Sequence, residues 1–165
     1  MSRNIAELFQ RITTGVYVVG VADSEKRNAF TAAWVMPVSF QPLLLALSIN
    51  PRHSSYSLLR AGRGFTVNVL ARDQFALAAH FGGPASVDKL AAFAWRTGQT
   101  GAPLLENMLA WFECERVAEY TSGDHILVLG RVIEGALVDA DREPLTYRDT
   151  GDLDGASAIY PDGFA

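Results

Sequence analysis

Apolar residues recur along this chain with two different periods, and the changes of period mark out its elements. Ile5, Leu8, Phe9 and Ile12 fall at helical spacing behind Asn4, which predicts a short, capped amphipathic helix at the start. "GVYVVGVA" (residues 15–22) is rich in β-branched side chains and predicts a strand, and the polar "DSEKRN" after it reads as a turn. "NAFTAAWVMPVSF" resumes as a strand, with Pro37 marking an edge, a bulge or the strand's end. "PLLLALSI" (residues 42–49) is an unbroken apolar run, the pattern of a strand covered on both faces. "RHSSYSLLRAG" predicts a short helix ending at Gly62, with Tyr56, Leu58 and Leu59 on its apolar side. "GFTVNVL" is another strand. "DQFALAAHFG" is a helix with Asp73 as its cap and Phe75, Leu77, Ala78 and Phe81 on one face. Two long alternating stretches, "LAWFECERVAEYT" and "DHILVLGRVIEGALV", flank "SGD" and predict a hairpin. Residues 82–101 carry no clear period, and the Asp- and Gly-rich tail from about residue 150 reads as irregular or docked on a partner.

About six strands interrupted by short helices, without regular βαβ alternation, predict a mainly β fold: a single-domain barrel over residues 1–165 with helical inserts. A doubly wound dinucleotide fold does not fit, since the "GRG" at residues 62–64 lacks a third glycine and precedes a strand. With 49% hydrophobic and 19% charged residues in 165, the composition is that of a globular domain with a sizeable core. A net charge of −4 and the absence of a basic stripe exclude a nucleic-acid partner. The single cysteine, Cys114, cannot form an internal disulfide, so a reducing compartment is expected. Glu7 and Arg11 interrupt any signal-like apolar stretch, and no window reaches the roughly 18 apolar residues of a membrane span. The expectation is a cytoplasmic protein with no membrane partner.

The familiar catalytic and metal signatures are missing. There is no Cys-x-x-Cys, no His-Glu-x-x-His and no Gly-x-Ser-x-Gly, and His53, His80 and His125 sit in unrelated segments, so no metal site is expected. Cys114 lies in an apolar strand beside Phe112, where a buried inert thiol is the usual outcome. Three segments carry chemistry that could bind a ligand. In Thr31-Ala32-Ala33-Trp34, small side chains would let backbone groups approach a planar molecule, although tight sheet packing needs the same residues. In "SINPRHSSYS", a turn with a guanidinium and two hydroxyls before a helix suits a phosphate, although Ser54 or Ser55 could simply cap that helix. In "SGDHILVLGRV", an acid–histidine pair opens a strand, which places His125 near a sheet end as a donor to a bound molecule or as a surface histidine beside a turn.

The order of these segments carries more than any one of them. "FQRITTGVYVVGV", "FTAAWVMPVSFQPLLLALSI", "GFTVNVLARDQFALAAHFG", "GAPLLENMLAWFECERVAEYTSGDHILVLGRV" and "EPLTYRDTG" resemble, in sequence, the flavin reductase-like family of FMN-binding proteins, over residues 5–151. The resemblance implies an FMN-binding split β-barrel, a homodimer with flavin near the subunit interface, and FMN or FAD as cofactor with NADH or NADPH as co-substrate. It implies that Thr31, Ala32, Ala33, Trp34 and Val35 line the isoalloxazine ring, and that Ser48, Ile49 and Asn50 with Arg52, His53, Ser54 and Ser55 hold the ribityl chain and phosphate. Asn68, Phe81 and Lys89 fall in segments that approach the flavin in such proteins, and His125 matches the histidine on the nicotinamide side, the one candidate catalytic residue. The implied activity is NAD(P)H:flavin reduction, supplying a monooxygenase or another electron acceptor. Trp34 followed by "VMPVSF" is closer to the flavoredoxin branch, where an FMN-binding electron carrier without its own NAD(P)H activity is the alternative.

Overall fold

The computed structural model describes residues 4–164. Helix α1 (Ile5–Phe9) is capped as expected, Asn4 accepting a hydrogen bond from the Glu7 amide at 3.3 Å. Its apolar side is not a core face, however: Ile5 and Ala6 are buried while Leu8, Phe9 and Ile12 are exposed. Strands β1 (Tyr17–Asp23) and β2 (Lys26–Ala32) form a hairpin tighter than the six polar residues suggest, because Lys26, Arg27 and Asn28 pair with Asp23, Ala22 and Val21.

The predicted strand through "NAFTAAWVMPVSF" is two strands. β2 ends at Ala32, β3 (Val35–Phe40) begins after two intervening residues, and the pair lie at opposite edges of the main sheet. β3 is an edge strand with a register shift between Pro37 and Ser39, as a proline lacking its ladder donor requires. A cis Gln41–Pro42 bond leads into β4 (Leu43–Ile49), whose start is less covered than its apolar run suggests, Leu43 being exposed. Helix α2 (Tyr56–Ala61) ends at Gly62 with φ of −78°, so this glycine is not a left-handed cap; a Cβ there would come 2.1 Å from the Ala22 carbonyl oxygen.

β5 (Gly64–Val69) leads through a single 3-10 turn to α3 (Phe75–Phe81). Asp73 does not cap it; its carboxylate pairs with Arg142 at 2.6 Å, which holds its pKa below the usual carboxylate range. The unassigned region contains a small two-stranded sheet of β6 (Trp95–Thr97) and β7 (Pro103–Leu105). β8 (Ala110–Ser122) and β9 (His125–Leu137) form the predicted hairpin, with Gly123 at φ +62° supplying the left-handed turn.

The fold is mainly β, and the seven-stranded sheet runs β2-β1-β5-β8-β9-β4-β3 with every neighbouring pair antiparallel. One core cluster draws a residue from each strand, namely Val19, Phe30, Val35, Leu47, Phe65, Cys114 and Val128, so the sheet curls around a shared interior. Bulges in β8–β9 near Cys114 and Ala118 allow that curl. Cys114 is buried as expected, and burial and the neighbouring Glu113 charge push its thiol up to about 12, which disfavours the reactive thiolate. Val16 and Val18 face the other way and pack with Ala78, Phe81 and Leu145, fixing α3 and the chain after β9 onto the outside of the sheet. No described helix is long and apolar enough to cross a membrane.

Candidate functional site

A cleft of about 280 Å³ opens where the chain crosses from one sheet edge to the other. β2 loses its partner after Ala32, which pairs with Tyr17, and pairing resumes at the far edge, where the Ser48 amide donates to the Trp34 carbonyl at 2.9 Å. Ala33 and Trp34 therefore lie outside both strands, and the small side chains of Thr31, Ala32 and Ala33 leave their backbone reachable from the cleft. The small residues line a cavity, and Ala32 and Ala33 also pack partly against the two core clusters. The Thr31 hydroxyl donates to the Ala78 carbonyl at 2.7 Å, tying the strand end to α3, so Ala78, Phe81 and Gly82 form the neighbouring wall.

His53 reaches the same cleft, its ring 4.5 Å from that of Phe30. Its Nδ1 accepts the Ser55 amide at 3.1 Å, which places the proton of the neutral ring on Nε2. Burial first, and then the Lys89 charge, lower its pKa, so the cleft meets a neutral imidazole that can donate.

The turn before α2 is built by Asn50, whose side-chain oxygen accepts the Arg52 amide at 2.9 Å and whose carbonyl accepts the His53 amide at 2.9 Å. Simple capping does not explain its hydroxyls. Ser55 occupies the cap position without capping, its oxygen accepting from Asn28 at 2.7 Å, while Ser54 and Arg52 are exposed. His125 is not part of the cleft lining and lies beside Trp34. Its Nδ1 is 2.7 Å from Asp124 Oδ1 and its ring is 5.1 Å from Trp34, which is 42% exposed. The His125 hydrogen bond, and then its charge, hold the Asp124 carboxyl below its usual range; Arg52 adds to this, so both segments share one field.

The fold thus brings Thr31, Ala32, Ala33, His53 and Phe81 to one cleft, with Trp34 and His125 paired beside the crossing. Other candidate residues lie outside the lining of this cleft. Asn68 is 0% exposed and spends its amide inside the barrel wall, donating to the Val18 carbonyl and accepting from the Leu105 amide, both at 2.9 Å. Val35 and Ile49 turn their side chains into the core. Lys89 lies behind the cleft, its Nζ donating to the Phe81 carbonyl at 2.9 Å and more weakly to that of Gly83 at 3.4 Å. It secures the end of α3, and burial lowers its pKa. Sequence reasoning missed the wall made by Gly83, Tyr147, Thr150, Leu153 and Asp154. The "EPLTYRDTG" segment was the available signal for part of it.

A larger hollow of about 650 Å³ lies elsewhere, between β3 and the inner face of the sheet. Its lining, from Val35, Met36 and Phe40 to Val67 and Phe112, is almost wholly apolar. It offers no set of donors for a polar ring, so the smaller cleft is the better ligand site.

The model of the "Flavin reductase like domain" family matches residues 9–154. The chain is 34% identical over 140 residues to the NADH-dependent flavin reductase of a Rhodococcus species, covering 83% of this chain and 77% of that protein. It is 32% identical over 131 residues to the reductase component of a flavin-dependent trigonelline monooxygenase of Acinetobacter baylyi, covering 79% of this chain and 42% of that protein. Many such relatives are longer: the chain spans 24% to 61% of the length of seven of the curated relatives it matches. Among solved structures, the NADH:FAD oxidoreductase SgcE6 of Streptomyces globisporus C-1027, in complex with NAD and FAD fragments, superposes with a TM-score of 0.81 at 31% identity, over 88% of this chain and 87% of that one. The chain belongs to the flavin reductase-like domain family.

Proposed function

We propose that this protein is a cytoplasmic NAD(P)H:flavin reductase that binds FMN, or FAD, and reduces it with NADH or NADPH to supply a monooxygenase or another acceptor. The observation that carries this reading is the cleft at Thr31–Ala33, where a sheet crossing exposes backbone beside small side chains in a chain of this family. Bound flavin supplies the redox chemistry. The protein's part is to hold and orient. Backbone groups of Thr31–Ala33 and the neutral His53 offer donors to the polar edge of a planar ring, favouring negative charge there. Arg52 and Ser54, exposed on the adjoining turn, suit the phosphate. His125 positions the nicotinamide. Mixed anaerobically with FMN and NADH or NADPH, the protein is expected to bleach the flavin absorbance within seconds to minutes with at least one donor. Bound flavin that stays oxidised with both would instead support the electron-carrier reading. That second reading rests on Trp34, whose half-exposed indole beside His125 narrows the approach of a nicotinamide.

The same proposal includes a split β-barrel that works as a homodimer. Its support is the edge strand β3, where Met36, Val38 and Phe40 stand exposed beside Leu43, Phe40 at 96%. An uncovered apolar edge of this kind is a liability in a monomer. Replacing Phe40 with glutamate is expected to weaken self-association at least about tenfold, since burying one large apolar side chain is worth about 1.5–3 kcal/mol. Light scattering after size exclusion reads the result, and an unchanged mass at every dilution would move the interface elsewhere.

A further inference from the structure

The tail after Gly151 is anchored to the opening helix and comes back over the cleft. Gln10 donates from its side-chain amide to the Gly151 carbonyl at 2.9 Å, and the Phe9 and Tyr160 rings stack with centroids 5.0 Å apart. Between those anchors, Leu153 and Asp154 enter the cleft lining shared with Thr31 and Ala33. Asp154 is held on both oxygens: Oδ2 accepts from the Tyr147 hydroxyl at 2.8 Å and Oδ1 from the Ala156 amide at 3.1 Å. Asp152 holds the next turn in the same way, accepting from the Ser157 amide and hydroxyl. These contacts also give a use to an apolar side chain of α1 that the sheet leaves unburied. Phe9 does not pack on the sheet but meets Tyr160, which lies beyond the family-matched segment ending at residue 154.

We propose that residues 151–160 form a wall of the flavin site, with Leu153 and Asp154 against the bound molecule and the Phe9–Tyr160 stack as the latch that keeps this wall in place. The inference rests on the flavin reading above and adds to it the control of flavin retention. The wall is attached by one aromatic pair and a few hydrogen bonds near solvent, so it opens more easily than the core strands. Flavin leaves when it opens. The Asp154 carboxylate also repels a phosphate, which turns the phosphate of the flavin towards the Arg52 turn and away from the tail.

The test is the rate at which FMN leaves the whole protein, followed by fluorescence anisotropy after dilution. Tyr160→Ala is expected to release FMN about tenfold faster, the equivalent of an aromatic pair, with little change in the association rate. Leu153→Ala, at an exposed position that the fold does not need, is expected to do the same by several-fold. Tyr160→Phe keeps the ring and is expected to behave as wild type, because the buried Tyr160 hydroxyl has no hydrogen-bond partner among the described residues. Wild-type release rates in both Tyr160→Ala and Leu153→Ala would overturn the proposal while leaving the flavin reading intact. Wild-type protein that takes up neither FMN nor FAD would overturn both.

Discussion

Replacing Ala33 with leucine is expected to lower FMN affinity about a hundredfold while the protein keeps its fold, because forcing extra carbons into a fitted space costs about 1–3 kcal/mol. Ala33 belongs to neither β2 nor β3, and its methyl group lines the cleft, so three further carbons enter ligand space without meeting a strand partner. Ala32→Leu makes a harsher test, since Ala32 still pairs with Tyr17 and packs partly on the barrel core. Comparing the two separates loss of the site from loss of the fold. Thermal unfolding of Ala33→Leu should stay close to wild type, and titration with FMN should show the loss. If Ala33→Leu binds FMN with unchanged affinity, the ring does not lie against this crossing and the site is misplaced.

Why this crossing was only half legible follows from what a period can and cannot record. The positions of β1, β5, β8 and β9 are legible because each is a run of β-favouring residues between turn signals, β1 and β5 being buried along nearly their whole length. "NAFTAAWVMPVSF" was read as one strand because both of its halves have strand-like composition. Nothing in that composition says that the halves belong to opposite sheet edges, a fact set by the antiparallel pairings of β2 with β1 and β3 with β4. The small residues at Ala32 and Ala33 were the only local trace of the break. The hydrogen bonds of Asn68 are equally silent in the sequence. Its neighbours Val67 and Val69 alternate normally, so the sequence gives no sign that its amide is consumed by Val18 and Leu105 across the wall. The tail contribution was invisible because Leu153 and Asp154 act through anchors, Phe9 and Tyr160, at opposite ends of the chain.

Replacing His125 with alanine is expected to slow flavin reduction by the nicotinamide donor about 10- to 100-fold, the scale on which misplacing a reacting group by an ångström acts, and to leave FMN affinity near wild type. The geometry explains the split. His125 stands outside the small-residue cleft, beside Trp34, so removing it takes nothing from the cleft lining. Nδ1 lies 2.7 Å from the Asp124 carboxylate and donates to it, so the tautomer with its proton on that nitrogen presents Nε2 as an acceptor. An acceptor held there and braced by Trp34 suits the carboxamide N–H of a nicotinamide. His125→Gln, which keeps a side-chain acceptor, should recover part of the rate, whereas a purely structural histidine would show no such rescue. The deficit should appear first as a raised KM for the nicotinamide. Trp34→Ala offers the complementary measurement: opening the approach while removing the brace should loosen discrimination between NADH and NADPH. A His125→Ala protein that reduces flavin at the wild-type rate with wild-type KM would remove the histidine from the reaction and leave Trp34 as the side chain that shapes access to the ring.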